Sequence, residues 1–187
     1  MDKKLLLHCC CAPCASGVVP QLEEYGDITL LFYNPNIDTL EEYNKRLTAL
    51  DSYVEQYNAE YPSKNLKYIA IPYNHQEFTT GGNELKEEPE GGKRCNYCIS
   101  LRLEFTAKYA ITHGYDIFGS TLSVSPHKNH LLINDIGETF SQKYDVEYYP
   151  SNFKKNNGFL NSIQNSRKYN LYRQAYCGCE FAKNHLV

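Results

Sequence analysis

No apolar run in the chain approaches the roughly 18 residues that a bilayer-spanning helix needs. The start, Met1 to Lys4, leads into a short apolar stretch rather than the long one of a secretion signal. These absences lead to the expectation of a soluble, cytoplasmic protein without a membrane partner. Internal repeats and coiled-coil heptads are lacking too, so nothing suggests a solenoid or a fibre. Tryptophan is absent, and any aromatic platform has to come from the 17 tyrosines. No domain boundary is visible, and a single domain over residues 1–187 is long enough to bury a core without disulfide staples. Acidic residues thin out only at the end. Residues 1–150 carry a net charge of −8, whereas 151–187 hold six basic side chains and only Glu180, a net +5. The tail is either a contact for an anion or a solvated surface.

What the chain has in excess is cysteine, eight in all. In a reducing compartment these are better read as metal ligands or redox thiols than as structural bridges. "HCCCAPC" places four of them directly after an apolar run. Neighbouring Cα atoms lie about 3.8 Å apart while disulfides favour roughly 4.4–6.8 Å, so Cys9, Cys10 and Cys11 are poor partners for one another. "KRCNYC" adds Cys95-x-x-Cys98 at a loop-to-helix junction, which suits half a zinc site, half an iron–sulfur site or a dithiol. A zinc knuckle would call for a second C-x-x-C. A cubane spreads its irons more widely, so two consecutive cysteines can reach different irons, and Cys10, Cys11, Cys95 and Cys98 are assigned to a [4Fe-4S] cluster. Cys9 is expected to point away from it. Cys14 faces either the cluster or a second metal. In "YCGCEF", Cys177 and Cys179 flank a glycine, which allows either an easily reduced disulfide or a separate iron beside the cluster. A radical-SAM triplet is ruled out because its third position is Gly17, and a thioredoxin-type reading of Cys11-Ala-Pro-Cys14 leaves four distant cysteines unexplained.

Strand-like runs at Lys4–His8, Ile28–Tyr33, Tyr68–Pro72, Ile117–Ser123 and Val146–Tyr149 alternate with helical patterns. Leu40, Tyr43, Leu47, Leu50, Val54 and Tyr57 form one apolar helix face, started by a Thr39/Glu42 capping box. A second helix is predicted over Asn96–His113, stopped by Gly114. The alternation predicts an α/β fold, a Rossmann-like three-layer sandwich with a mostly parallel sheet. Its site should lie beyond the carboxyl ends of the strands, where the first cysteines and "STLSVSPHKN" fall. Thr79–Lys93, rich in Gly and Glu, reads as a flexible loop, and the segment from Pro150 as an appendage packed on the same domain.

Taken together, "HCCCAPCASG", "EGGKRCNYCISLRLEFTAKYA", "STLSVSPHKN" and "NLYRQAYCGCEF" resemble the cobalamin-independent epoxyqueuosine reductases, the QueH family. The resemblance covers nearly the whole chain. It implies reduction of the epoxide of epoxyqueuosine, at the wobble position of certain tRNAs, with electrons from an external donor. It also implies a fold similar to the PP-loop ATP pyrophosphatases, although their S-G-G-x-D-S loop is absent here and ATP use is not expected. Cys10, Cys11, Cys95 and Cys98 match the family's cluster ligands, Cys177 and Cys179 its redox pair, and a mononuclear iron beside the cluster is implied as well. Cys9 is extra to the commoner pattern.

The chemistry needs a proton donor, for which His8 and His127 are the candidates, with His8 better read as a histidine bonded inside the sheet. Tyr176 is either packing or part of the site. Lys154, Lys155, Arg167, Lys168 and Arg173 are the candidate phosphate contacts. The competing readings are a zinc-organised RNA-binding module and a plain thiol reductase.

Overall fold

The computed structural model describes residues 3–22 and 24–182. Lys4–His8 forms β1, the middle strand of the sheet, and its three leucines are fully buried. A strand covered on both faces has no polar side to present, which is why this run does not alternate. Leu5 and Leu7 enter one core and Leu6 the other, as the two-residue period of a strand requires. With β2 (Asp27–Phe32), β3 (Lys67–Ala70), β4 (Ile117–Ser120) and β5 (Glu147–Tyr148) it builds a sheet of order β3-β2-β1-β4-β5 whose pairings are all parallel. The described helices are α1 (Ala12–Val18), α2 (Leu40–Glu60), α3 (Gln76–Gly82), α4 (Lys93–Thr112), α5 (His130–Tyr144) and α6 (Gly158–Lys168). Side chains of α1 and α2 share the core of Leu5 and Leu7, and those of α4 and α5 the core of Leu6. The three-layer, Rossmann-like arrangement follows. None of these helices is long and apolar enough to cross a membrane.

The chain steps from β1 outward to β2 and β3, then returns to β4 on the other side of β1. That reversal opens a crevice beyond the carboxyl ends of β1 and β4, the place where open α/β sheets bind ligands. Cys9–Cys14 follow β1 into this crevice. β4 ends at Ser120, three residues earlier than the sequence run suggests, because the Ser120 hydroxyl accepts from the Leu122 amide and starts a 3-10 turn over Thr121–Val124.

Four other expectations are corrected. Leu40 does not join the apolar face of α2 but stands exposed, although Thr39 caps the helix by accepting from the Glu42 amide at 3.2 Å. Glu42 leaves the capping box open and pairs with Arg46 instead. The Thr79–Lys93 loop is in large part helical, occupied by the end of α3 and a 3-10 turn over Asn83–Leu85. Buried Arg94 holds it by donating to the carbonyls of Leu85, Lys86 and Glu88, and Phe78 anchors α3 from below. α4 starts at Lys93, three residues before the expected Asn96. Its end is as foreseen, since Gly114 takes a φ of +69° and the Tyr115 amide reaches back to the Ala110 carbonyl.

The segment after Pro150 packs on the same domain, as expected. α6 lies on α1, and the Asn165 amide donates to the Ser16 carbonyl at 2.7 Å. Gly17 permits the approach, because a Cβ there would stand 2.5 Å from the Gly158 carbonyl oxygen and 2.8 Å from Ser162 Cβ. Gly17→Ala should therefore push α6 away and cost about 1–3 kcal/mol, read as a lowered urea midpoint at unchanged slope.

α4 and α5 are tied by Glu104, whose carboxylate meets Lys143 at 2.8 Å, Lys108 at 3.4 Å and the Tyr144 hydroxyl. Desolvation raises the carboxyl pKa, but the bonds from Lys143 and Tyr144 with the charge of Lys108 prevail and bring it down to about 2. The folded value lies below the ordinary 4.5. The stabilisation is therefore complete above that value and is lost as pH falls toward 2. An acid titration of Glu104→Gln should lack that part of the pH dependence.

Candidate metal centre

Cys9 continues the β ladder, its amide donating to the Leu31 carbonyl, and its side chain is buried in the core with its thiol bonded to the Cys11 carbonyl. Cys11 is the extended residue before α1, and Pro13 fits the first turn because no amide hydrogen is needed there. One turn into the helix, Cys14 leans back toward the start, as helical side chains do. The result is a triad: the sulfurs of Cys10, Cys11 and Cys14 all lie within 4.8 Å of one another. The Cys10 and Cys11 sulfurs are 3.7 Å apart, Thr121 Oγ1 is 3.9 Å from Cys10, and Gln174 Nε2 donates to Cys11 Sγ at 3.0 Å.

A second group of sulfurs comes from α4 and the C-terminal segment. Cys98 and Cys179 are buried in a small apolar cluster with Phe78 and Ala182, and Cys177 packs against it. Lys128 Nζ donates to Cys177 Sγ at 3.2 Å. Gly178 between the two cysteines has a φ of +126°, a conformation other residues rarely adopt, and its carbonyl accepts from the Asp38 amide. Arg46 fixes the same turn, its two terminal nitrogens donating to the carbonyls of Cys177 and Tyr176 at 3.2 Å each while Nε pairs with Glu42 at 2.7 Å. Cys95 is half-buried, its sulfur accepting from the Gly91 amide at 3.2 Å. All eight cysteines are free thiols.

One cavity of about 110 Å³ joins the two groups, lined among others by Cys10, Cys14, Cys177, Arg102, Lys128 and Gln174. Its electrostatics favour particular ionised sulfurs. Hydrogen bonds from the Cys11 and Cys14 thiols, with help from Arg102, lower the Cys10 pKa, and those same bonds to Cys10 raise the other two, Cys11 to about 12. Lys128 lowers that of Cys177, while burial raises Cys179 to about 12 and raises Cys98 as well. The triad offers three sulfurs to a single ion. Such a soft donor set fits an iron–sulfur cluster or another thiolate-bound metal.

The residues expected at a site are distributed as follows. Cys10, Cys11 and Cys14 stand together, and Cys177 shares their cavity, whereas Cys98 and Cys179 sit in the apolar group. His127 is an exposed residue at the cavity rim. His8 is fully buried with Nδ1 on Ser120 Oγ and Nε2 on the Tyr33 carbonyl, and burial with the charge of Arg102 brings its pKa down to about 3. It has no free nitrogen for catalysis. Tyr176 bonds Asp38 through its hydroxyl and also lines the cavity. Of the candidate phosphate contacts, Lys168 is held by Glu60 and Lys154 by the Lys128 carbonyl. Arg173 lines the cavity while donating to Ser162 and Ser166, and Lys155 and Arg167 are exposed. The sequence reading overlooked Arg46, Arg102, Lys128 and Gln174.

A family model described as epoxyqueuosine reductase QueH matches residues 5–185. The chain belongs to this family. An epoxyqueuosine reductase QueH of Staphylococcus aureus is 45% identical over 181 residues, covering 96% of this chain and 75% of that relative. Relatives of the same description from Thermotoga maritima and Dehalococcoides mccartyi are 36% and 30% identical, each covering at least 95% of this chain and 89% and 94% of their own lengths.

Proposed function

We propose that the chain reduces epoxyqueuosine in tRNA to queuosine at this cavity, with an iron–sulfur cluster held by Cys10, Cys11, Cys95 and Cys98. Sulfurs of two distant segments, Cys10 and Cys14 with Cys177, meet at one crevice in a QueH-family chain, with Cys98 of α4 packed in the same apolar cluster as Cys177, and this carries the reading. Cys14, beside Cys10 and Cys11, is the candidate for a second, mononuclear iron. A cluster, when bound, supplies electrons one at a time.

The net reaction breaks two C–O bonds, forms one C=C bond, consumes two electrons and two protons and releases water. Oxidation of the Cys177 and Cys179 thiols to a disulfide releases that number of electrons and protons, after which an external donor restores the thiols. The fixed turn at Gly178 keeps the two sulfurs on one segment, and Lys128 holds a proton at Nζ beside Cys177. His127 at the rim is the second proton carrier. Partly exposed Phe159 and the Arg173 guanidinium at the cavity offer a stacking surface and a cation to an anticodon loop with its base splayed out. A tRNA substrate places the work in the cytoplasm.

Anaerobically reconstituted protein should be brown, contain iron and acid-labile sulfide, and convert epoxyqueuosine-containing tRNA with a chemical reductant. Cys177→Ser and Cys179→Ser should keep the colour and lose turnover. Colourless, zinc-loaded protein that binds the tRNA without converting it would replace this reading with the RNA-binding module.

A further inference from the structure

Arg102 lies one helical turn after Cys98 on the buried face of α4, with a relative exposure of 2%. Its Nε donates to the Cys98 carbonyl at 3.1 Å, and its side chain lines the cavity. Among the described residues no carboxylate pairs with it. The other two buried arginines are provided for, Arg46 by Glu42 and Arg94 by three carbonyls. The ionisable groups that favour the charge of Arg102 are sulfurs, those of Cys98, Cys177, Cys10 and Cys179, while the buried cation Lys128 opposes it. A guanidinium does not shed its proton, and taking it out of water is costly unless an anion stands against it. Neutral thiols do not meet that need. A thiolate-bound centre carrying net negative charge beside Cys10 and Cys98 does, since the Cys177 sulfur is already met by Lys128.

We infer that Arg102 is the counter-charge of the sulfur centre, a positioning residue whose fixed cation holds the thiolate-bound group and eases its reduction. The inference rests on the reading that Cys10 and Cys98, with Cys11 and Cys95, bind an iron–sulfur cluster. Adding an electron adds negative charge, and a buried cation beside the sulfurs stabilises the reduced form more than the oxidised one. Removing the cation should weaken retention of the cluster and lower its potential together.

Three variants test this: Arg102→Met, which keeps length and removes charge, Arg102→Gln, and Arg102→Lys, which keeps charge. Each is measured for iron and sulfide content, for the gain in melting temperature on anaerobic iron loading, and for midpoint potential by dye-mediated titration. Arg102→Met and Arg102→Gln should lose at least half of that melting-temperature gain. At a fixed potential their reduced-to-oxidised ratio should fall about tenfold, a shift of about 59 mV for one electron. Arg102→Lys should restore most of both. A merely structural arginine would lower the metal-free and loaded melting temperatures alike and leave the gain and the potential unchanged, and that result overturns the inference. So does Arg102→Lys behaving like the neutral variants. Should Arg102→Met fail to fold, the Lys and Gln pair still isolates the charge. Wild-type protein that takes up no iron overturns the functional reading and this inference with it, whereas iron uptake with unmoved variants overturns the inference alone.

Discussion

Cys10→Ser protein, reconstituted anaerobically, should retain almost no iron or sulfide and lose at least ~100-fold in epoxyqueuosine reduction, more than the tenfold to hundredfold typical of outer-shell changes around a metal. The size of the effect follows from where Cys10 stands. Its sulfur meets those of Cys11 and Cys14 and approaches Thr121, so it is common to the triad and to the loop after β4. It is also the member of the triad that ionises most readily, because two neighbouring thiols donate to it and Arg102 favours its negative charge. Metals bind the thiolate. A serine hydroxyl stays protonated under the same conditions and cannot take its place.

Cys9→Ser is the matching control one residue earlier. That side chain is buried in the core, where a hydroxyl costs about 1–3 kcal/mol if poorly bonded, and stability rather than metal content should suffer. Metal analysis beside thermal unfolding separates the two. Equal iron loss in both variants would show that the segment as a whole, and not the Cys10 sulfur, is what matters.

The sheet was readable in the sequence because buried parallel strands leave continuous apolar runs, and Lys4–His8 and Ile28–Tyr33 are such runs. Strand alternation put the site, and with it the first cysteines, beyond the carboxyl ends of the strands, but not the return of the chain to the other side of β1. α3 was not readable: Thr79–Gly82 has poor intrinsic helix preference, and the order comes from Arg94 and Phe78, partners distant or silent in a local pattern. Lys128 gave no signal either, since a lone lysine in "SPHKN" looks like any loop lysine until Cys177 is brought 3.2 Å away. The arginines did leave a trace. Arg102 falls on the stripe of Ile99, Leu103 and Ala107, and Arg46 on that of Tyr43, Leu50 and Tyr53, so each is a charge on a face that should be apolar. A charge in that position needs a buried partner, and for Arg46 the partner is visible four residues back at Glu42.

The same pair gives the largest expected effect on stability. Arg46→Ala should cost about 3–5 kcal/mol, because Glu42 is left buried and uncompensated. For a chain of this length that corresponds to a fall in melting temperature on the order of 6–20 °C. The loss extends beyond the pair, since the carbonyls of Tyr176 and Cys177 give up two donors at once. The turn then keeps the Asp38 amide on Gly178, the Asp38 carboxylate on Tyr176 and Lys128 on Cys177, but its two carbonyls lack their donors and the Cys177 sulfur is held less firmly. A Glu42→Leu, Arg46→Met double variant removes both charges and keeps their volume, so it should regain most of the stability while the turn remains without its two donors. Denaturant unfolding and turnover should therefore part company in the double variant, with stability recovered and reduction of the epoxide still low. Recovery of both together would mean that Arg46 matters only as the partner of Glu42 and that the cysteine turn keeps its position without it.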